Sequence, residues 1–514
     1  MKPFFGPLGA GAGALLLLLA NLLSYGVGLF RDILLTNHFG TSLKADAFFS
    51  AFVLPDFLFS FLAMGFISGG LLSVFHSSEQ KNSFLAEDVF RSFLTLLSFF
   101  VAVVSALFFC ITPFLLPFFF EMEQDQIEQI THLTRILLLS PFLFCLSNTI
   151  GMILLARKHF LSMALSPVLY NIGIIGGILF FSESIGIYAA VWGAVFGALL
   201  HLGSRLIDFR SLNLSLLPKI SFSPELKSIF LLGIPKTLGL IFFQATLFVF
   251  AVFASKMPEG SLSAWNLARN IQSLPVSLFG VAFATAALPF LSGFFTEKKE
   301  EAFQRRLLKS ASQILFFTLP ATIGLVLVAN IVVEALFERG SFDEHSRILV
   351  TSVLVGVAIA TPFESLTHLF SRAFLAQKNT LFPALGKFLF FVVAVLVVRF
   401  DLKSGAAIFG VAFTSGAIAE CFFLMTLFLR KNPSLFLRDF LLRVLRIGAL
   451  SLFDALVVMS FLMVSGDFSV FFRLLGGIVV GGSFFIGGAL WLRFPEMEEV
   501  FFFAKWRNTT QKKH

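Results

Sequence analysis

Apolar segments long enough to cross a bilayer follow one another along this chain from end to end, and that succession constrains its fold more than any other feature. A helix needs about 20 predominantly apolar residues to span the hydrocarbon core. Inside that core no water is available, so each segment must satisfy its own backbone groups. Only 13% of the 514 residues are charged and 57% are hydrophobic, against roughly 25% charged in soluble chains. Dividing the length into soluble domains therefore does not apply. The composition predicts one all-α polytopic membrane domain of packed helices.

Loop signals separate about fourteen spans, near residues 9–37, 44–77, 86–118, 127–156, 160–182, 184–208, 226–255, 262–293, 304–332, 345–376, 380–400, 405–430, 438–465 and 470–494. The first follows Lys2 and is apolar through Leu19. It lacks a small-residue cleavage site before a soluble domain, so it reads as a retained helix rather than a signal peptide. Basic loops carry Arg157-Lys158-His159, Lys298-Lys299 with Arg305-Arg306, and Arg430-Lys431 with Arg438. The connection with Arg205, Arg210, Lys219 and Lys227, and the tail with Lys505, Arg507, Lys512 and Lys513, are basic too. Between them fall Glu121-Met122-Glu123-Gln124-Asp125, Ser182-Glu183-Ser184 and Ser465-Gly466-Asp467. This alternation puts the basic loops and both termini on the cytoplasmic side of the membrane. It accounts for the net charge of +8 without nucleic acid as a partner.

The expected organisation is a six-helix lobe over 1–208, a basic and Leu-rich cytoplasmic connection over 209–225, and a second six-helix lobe over 226–430. Two further helices over 431–494 and a basic tail over 495–514 complete it. The connection has the composition of a segment lying on the membrane surface. A short repeat accompanies the division: Leu54-Pro55 precedes Phe61 and Gly65, and Leu274-Pro275 precedes Phe279, Gly280 and Val281. Repeated halves are a common transporter design.

Three stretches carry a family resemblance. The first is Phe30-Arg31-Asp32-Ile33-Leu34, Phe39-Gly40, Ala45-Asp46-Ala47-Phe48-Phe49-Ser50-Ala51-Phe52 and Leu54-Pro55. The second is Ser273-Leu274-Pro275, Gly280-Val281-Ala282 and Ala287-Leu288-Pro289-Phe290-Leu291-Ser292. The third is Leu319-Pro320-Ala321 with Glu334-Ala335-Leu336-Phe337-Glu338-Arg339-Gly340-Ser341-Phe342. In order and spacing they resemble the MurJ/MviN family of lipid II flippases. The resemblance implies a fourteen-helix member of the multidrug/oligosaccharidyl-lipid/polysaccharide exporter superfamily, with two six-helix lobes around a central cavity and a lipid-tail groove on the last two helices. It further implies alternating access that carries a lipid-linked peptidoglycan precursor to the outer leaflet. The chain departs from the family where cavity charges are usual: Ser24-Tyr25, Phe59-Ser60 and Met64 stand where basic or acidic residues are common, and span eight reads Arg269-Asn270.

A polyprenyl pyrophosphate head group needs cationic donors in a wet cavity, and arginine matches phosphate bidentately. Ionisable groups inside spans are costly and usually face protein or a cavity. The substrate-binding candidates are accordingly Arg31, Asp32, Asp46, Arg269, Asn270 and Lys236. Arg31 and Asp32 form either a phosphate contact or a structural pair, and Asp46 either steadies the arginine or packs structurally. Arg269 lies among Asn266, Asn270 and Gln272 on a polar helix face, serving substrate or helix packing. Lys236 follows Pro235 and either lines a cavity or snorkels. Arg31 and Arg269 are expected in a common central cavity. Glu364, His368 and Arg372 recur every four residues, as an ion-coupled gate or a simple charge ladder. Glu420 and Asp454 receive no role.

No nucleotide loop, zinc pattern or nucleophile elbow is present, and Cys110, Cys145 and Cys421 lack metal or redox spacing. No cofactor is expected. The 73 phenylalanines read as lipid-facing bulk rather than an aromatic cavity. The leading reading is a lipid II flippase and not an enzyme, its partners being the lipid-linked oligosaccharide, membrane lipids, a coupling ion and other cell-wall synthesis proteins. Alternatives are an exporter of another polyprenyl-linked glycan or amphipathic molecule, and a non-transporting scaffold. A polyprenyl transferase would need clustered carboxylates for metal-diphosphate chemistry, which the loops lack.

Overall fold

The computed structural model describes residues 10–431 and 437–497. Among them the regular structure is helical, with no strand. Thirteen segments are long and apolar enough to cross a membrane, and one bent pair supplies a fourteenth. The chain is the predicted all-α, multi-pass membrane protein. Lys2 and the basic tail residues Lys505, Arg507, Lys512 and Lys513 lie outside the described residues.

Two compact units make up the chain. The first holds residues up to Leu267, with Arg339–Ser346 and Val398–Ala406. It contains α1 (Ala10–Phe39), α2 (Leu43–Phe59), π-segments Ser60–Met64 and Ile67–Leu71, and α3 (Leu72–Lys81). After these come α4 (Ser83–Phe119), α5 (Gln124–Leu137), α6 (Leu139–Ala156), α7 (Leu161–Ile185), α8 (Tyr188–Phe209) and α9 (Pro224–Ala254). The division falls within α10 (Ser261–Pro275). The second unit holds Ala268–Glu338, Arg347–Val397 and the chain from Ala407 onward. Its elements are π-segment Val276–Val281, α11 (Ala282–Thr296), α12 (Glu300–Phe337), α13 (Glu344–Ala358, from Arg347) and α14 (Ala360–Ala376), then α15 (Leu381–Phe400, to Val397), α16 (Ala407–Lys431), α17 (Leu437–Val464) and α18 (Val470–Trp491).

Proline explains the breaks. A proline removes one N–H and crowds the carbonyl four residues earlier. Pro141 thereby ends α5 near Leu137, and Pro362 ends α13 near Ala358, where the pair α13/α14 bends by 44°. Pro113 lies inside α4 and frees the Phe109 carbonyl, which instead accepts from Arg135 Nε at 3.0 Å. The Arg135 guanidinium also lies 4.8 Å from the Phe109 ring.

Packing inside lipid relies on close contact rather than on expulsion of water. In the first unit, Gly173 and Gly177 of α7 meet Gly193 and Gly197 of α8, four residues apart on each helix; a β-carbon at Gly177 would lie 2.9 Å from Gly193 Cα. The π-segments follow Pro55 and Pro275, in spans two and eight. Glycines in and between those of span two press on α9, where a β-carbon at Gly65, between the two π-segments, would lie 2.7 Å from Thr237 Cα. Because a backbone atom cannot step aside, Gly65→Ala is expected to cost about 1–3 kcal/mol. A lowered apparent melting temperature of the detergent-solubilised protein checks this; an unchanged one would show that α9 shifts freely.

The glycine of the Glu338-Arg339-Gly340-Ser341 motif has a local cause. Gly340 takes φ +60° against Asn37, and the Ser341 N–H donates to Asn37 O at 2.9 Å. Two residues on, Asp343 Oδ1 accepts from the Ser346 N–H at 2.9 Å and caps the start of α13. Hydrogen bonds from Ser346 hold the Asp343 carboxyl below its ordinary range. A depressed folded pKa gives stability that is present above the unfolded value, about 4, and lost as pH falls through the folded value. Asp343→Ala is therefore expected to flatten the acid limb of the melting temperature against pH, modestly because the group is exposed.

Candidate functional site

In each unit an intramembrane arginine is gripped by an acid and held by an amide. In the first, Arg31 of α1 donates to Asp32 Oδ1 through Nε at 3.0 Å and Nη2 at 2.7 Å. Its Nη1 donates to Asn171 Oδ1 of α7 at 3.0 Å. The amide of Asn171 is oriented in turn, its Nδ2 donating to Pro167 O at 3.1 Å. The Arg31 side chain keeps 20% of its surface exposed while Asp32 keeps 1%. This is an arginine fixed in place but still reachable.

In the second unit, Arg269 of α10 pairs with Glu364 of α14, Nη2 to Oε1 at 2.6 Å. It also donates to Gln272 Oε1, and its guanidinium stacks 4.6 Å from the Phe413 ring of α16. Gln272 Nε2 donates to Thr361 Oγ1 at 3.1 Å and Glu364 Oε2 at 3.3 Å, closing the cluster. The Arg269 side chain is 19% exposed, and its neighbour Asn270 is exposed.

The other candidates divide. Both oxygens of buried Asp46 are occupied by the start of α10: Oδ2 accepts from Gly260 N at 2.7 Å, and Oδ1 from Ser263 N and Oγ at 2.8 and 2.6 Å. Exposed Lys236 donates to Ser68 O at 3.1 Å, tying α9 to a π-segment. On α14, Arg372 turns to Thr285 Oγ1 at 2.8 Å rather than to the His368 ring. His368 itself lies in the combined field of Glu364, Lys387, Arg372 and Arg269.

Several participants escape a reading of the sequence. Lys387 of α15 donates to Glu420 Oε2 of α16 at 2.8 Å, and Glu420 is 1% exposed. An acid and a lysine on neighbouring spans were the available signal. Asp56 sits in the Leu54-Pro55 motif itself, and the fields of Asp56 and Arg31 both reach Tyr170. Arg205 is not a loop charge, and His159, in the α6–α7 loop as expected, is buried rather than solvated. Arg205 is buried in α8, donating to Ser166 Oγ at 3.0 Å and Ser147 O at 2.9 Å. His159 is buried on Asp208 Oδ1 at 2.8 Å, while Ser162 Oγ donates to Asp208 Oδ2 at 2.6 Å. Charge near a span end reads as loop until the partner helix is known.

Against known proteins, residues 35–478 match the family model described as "Lipid II flippase MurJ". The chain belongs to the MurJ family. Among relatives, a probable lipid II flippase MurJ of Thermotoga maritima is 27% identical over 494 residues, covering 94% of this chain and 96% of that protein. One of Bdellovibrio bacteriovorus is 28% identical over 379 residues, 72% of each chain. A solved MurJ flippase, titled as an inward closed conformation, shares the fold with TM-score 0.78 and 24% identity, over 93% of this chain and 99% of that one. An inward-facing MATE-family multidrug transporter shares it more distantly, with TM-score 0.63 and 15% identity over 83% and 94%. As a MurJ-family member the protein is a transporter of the flippase class, not an enzyme.

Proposed function

We propose that the protein flips a lipid-linked peptidoglycan precursor from the cytoplasmic to the outer leaflet of a bacterial inner membrane by alternating access. The match to the MurJ family model over residues 35–478 carries this reading. The relatives named as probable lipid II flippases support it. So does the chemistry of the two arginines. Each is held in one orientation by a carboxylate and an amide, so little freedom is lost when a phosphate docks. Arg31, with Asp32 beside it, and Arg269, with Asn270 and Glu364 beside it, each act on the pyrophosphate. Asp46 and Lys236 support the helices that carry the site. In this reading both termini are cytoplasmic, 1–208 and 226–430 act as the lobes, and α17 with α18 hold the lipid tail. The Glu364, His368 and Arg372 face, with Lys387 and Glu420 beside it, couples transport to an ion gradient or the membrane potential. Moving one charge through 100 mV contributes roughly 2.3 kcal/mol.

Complementation tests the proposal. A bacterium depleted of its own lipid II flippase is expected to regain growth and outer-leaflet precursor when it expresses this protein. Arg31→Ala and Arg269→Ala, at equal membrane abundance, should each lower rescue at least about tenfold, the scale of one lost charge-assisted contact. Full rescue by both variants would remove the arginines from the mechanism. No rescue by the abundant parent protein would redirect the reading to another polyprenyl-linked glycan or amphipathic cargo.

A further inference from the structure

Asp56 is the intramembrane acid that the arginine clusters leave over. It lies within the span Leu43–Lys81, on the last turn of α2. Its side chain is exposed within that span. No hydrogen bond or ion pair among the described residues engages it. Arg31 turns instead to Asp32 and Asn171. A carboxylate left unpaired in a span is costly and calls for a partner.

The surroundings narrow what that partner is. Phe59 stands three residues on, on the same helix face. Its ring lies 5.8 Å from Phe144 of α6, and Phe144 lies 5.3 Å from Tyr170 of α7, edge to face. The Asp56 charge reaches Tyr170. One carboxylate beside a wall of aromatic rings is the chemistry that recognises an ammonium group, through an ion pair on one side and cation–π attraction on the other. A divalent metal would want several oxygen ligands converging, and a coupling proton would gain nothing from the rings.

We propose that Asp56, with the rings of Phe59, Phe144 and Tyr170 beside it, binds a protonated amine on the molecule the protein transports. The inference rests on the reading of the chain as a transporter of an amphipathic, head-group-bearing substrate, and adds that the head group carries an amine as well as phosphate. Asp56 then acts as a specificity residue, selecting aminated cargo over its neutral counterpart.

The test is direct binding to the purified full-length chain in nanodiscs, with 2-phenylethylamine as probe and 2-phenylethanol as its neutral counterpart. The amine should bind the parent protein about tenfold more tightly than the alcohol, one charge-pair contact converted to affinity. Asp56→Asn should reduce amine binding to the level of the alcohol, and Asp56→Glu should retain the preference. Phe59→Leu should weaken the amine severalfold while leaving the alcohol less affected. Asn is isosteric and no hydrogen bond engages the Asp56 side chain among the described residues, so an unchanged melting temperature serves as the control for folding. Equal binding of amine and alcohol, or amine binding that survives Asp56→Asn, overturns the site. Because the assay needs no flipping, the two readings fail separately. Failed complementation with Asp56-dependent amine binding removes the peptidoglycan precursor and keeps the ammonium site. Successful complementation without amine binding does the reverse.

Discussion

Glu364→Ala is expected to destabilise the protein more than the loss of both partners of its ion pair. The carboxylate lies 2.6 Å from Arg269 Nη2 and both groups are largely buried, at 11% and 19% exposure. Removing it leaves the guanidinium with Gln272 and the Phe413 ring but no counter-charge. An orphaned buried charge of this kind costs about 3–5 kcal/mol, whereas replacing both members by apolar residues is often neutral. The apparent melting temperature should therefore fall furthest for Glu364→Ala and less for Glu364→Gln. It should recover for the double variant Arg269→Met with Glu364→Leu. Transport gives the second axis. If Arg269 contacts substrate, the double variant regains stability but not flipping. If the pair is only a brace between α10 and α14, both return together. A double variant as unstable as Glu364→Ala would mean the two side chains are not energetically coupled.

That separation matters because the sequence and the geometry speak to different parts of the site. The helices are legible: apolar runs give the spans, and even the bent span over 345–376 shows in the sequence as one apolar segment. Proline placed its break. Arg31, Arg269 and Glu364 were legible as costly charges in apolar surroundings. Their pairings were not, because Arg31 meets Asn171 across 140 residues and Arg269 meets Glu364 across 95. Periodicity reports which residues share a face of one helix and says nothing of which face opposes it. The same limit hid Lys387 with Glu420, and it made Arg205 look like a loop charge although it bonds two neighbouring helices from inside α8. The four-residue rhythm of Glu364, His368 and Arg372 suggested a self-contained ladder. Yet each end turns to a different helix, Glu364 to α10 and Arg372 to α11.

Asp46→Ala is expected to produce the other large loss, and its companion Asp46→Asn decides what the residue is for. The Asp46 carboxylate accepts three hydrogen bonds from Gly260 and Ser263 at 2.6–2.8 Å. A helix start carries N–H groups with no partner inside the helix, and a negative charge there is favoured by the helix dipole. Here the cap comes from α2, more than two hundred residues earlier. Alanine leaves these buried donors without an acceptor, for an expected loss of about 2–4 kcal/mol. Gly260→Ala should destabilise the same junction by another route, since Gly260 holds φ +84° against Thr41. Asparagine keeps one carbonyl oxygen for Ser263 but turns an NH2 group, a donor, towards the Gly260 N–H. If Asp46 is a cap, Asp46→Asn should fall between wild type and Asp46→Ala in melting temperature, and flipping should track that order. If Asp46 instead contacts substrate, Asp46→Asn should melt like the parent protein and still lose transport.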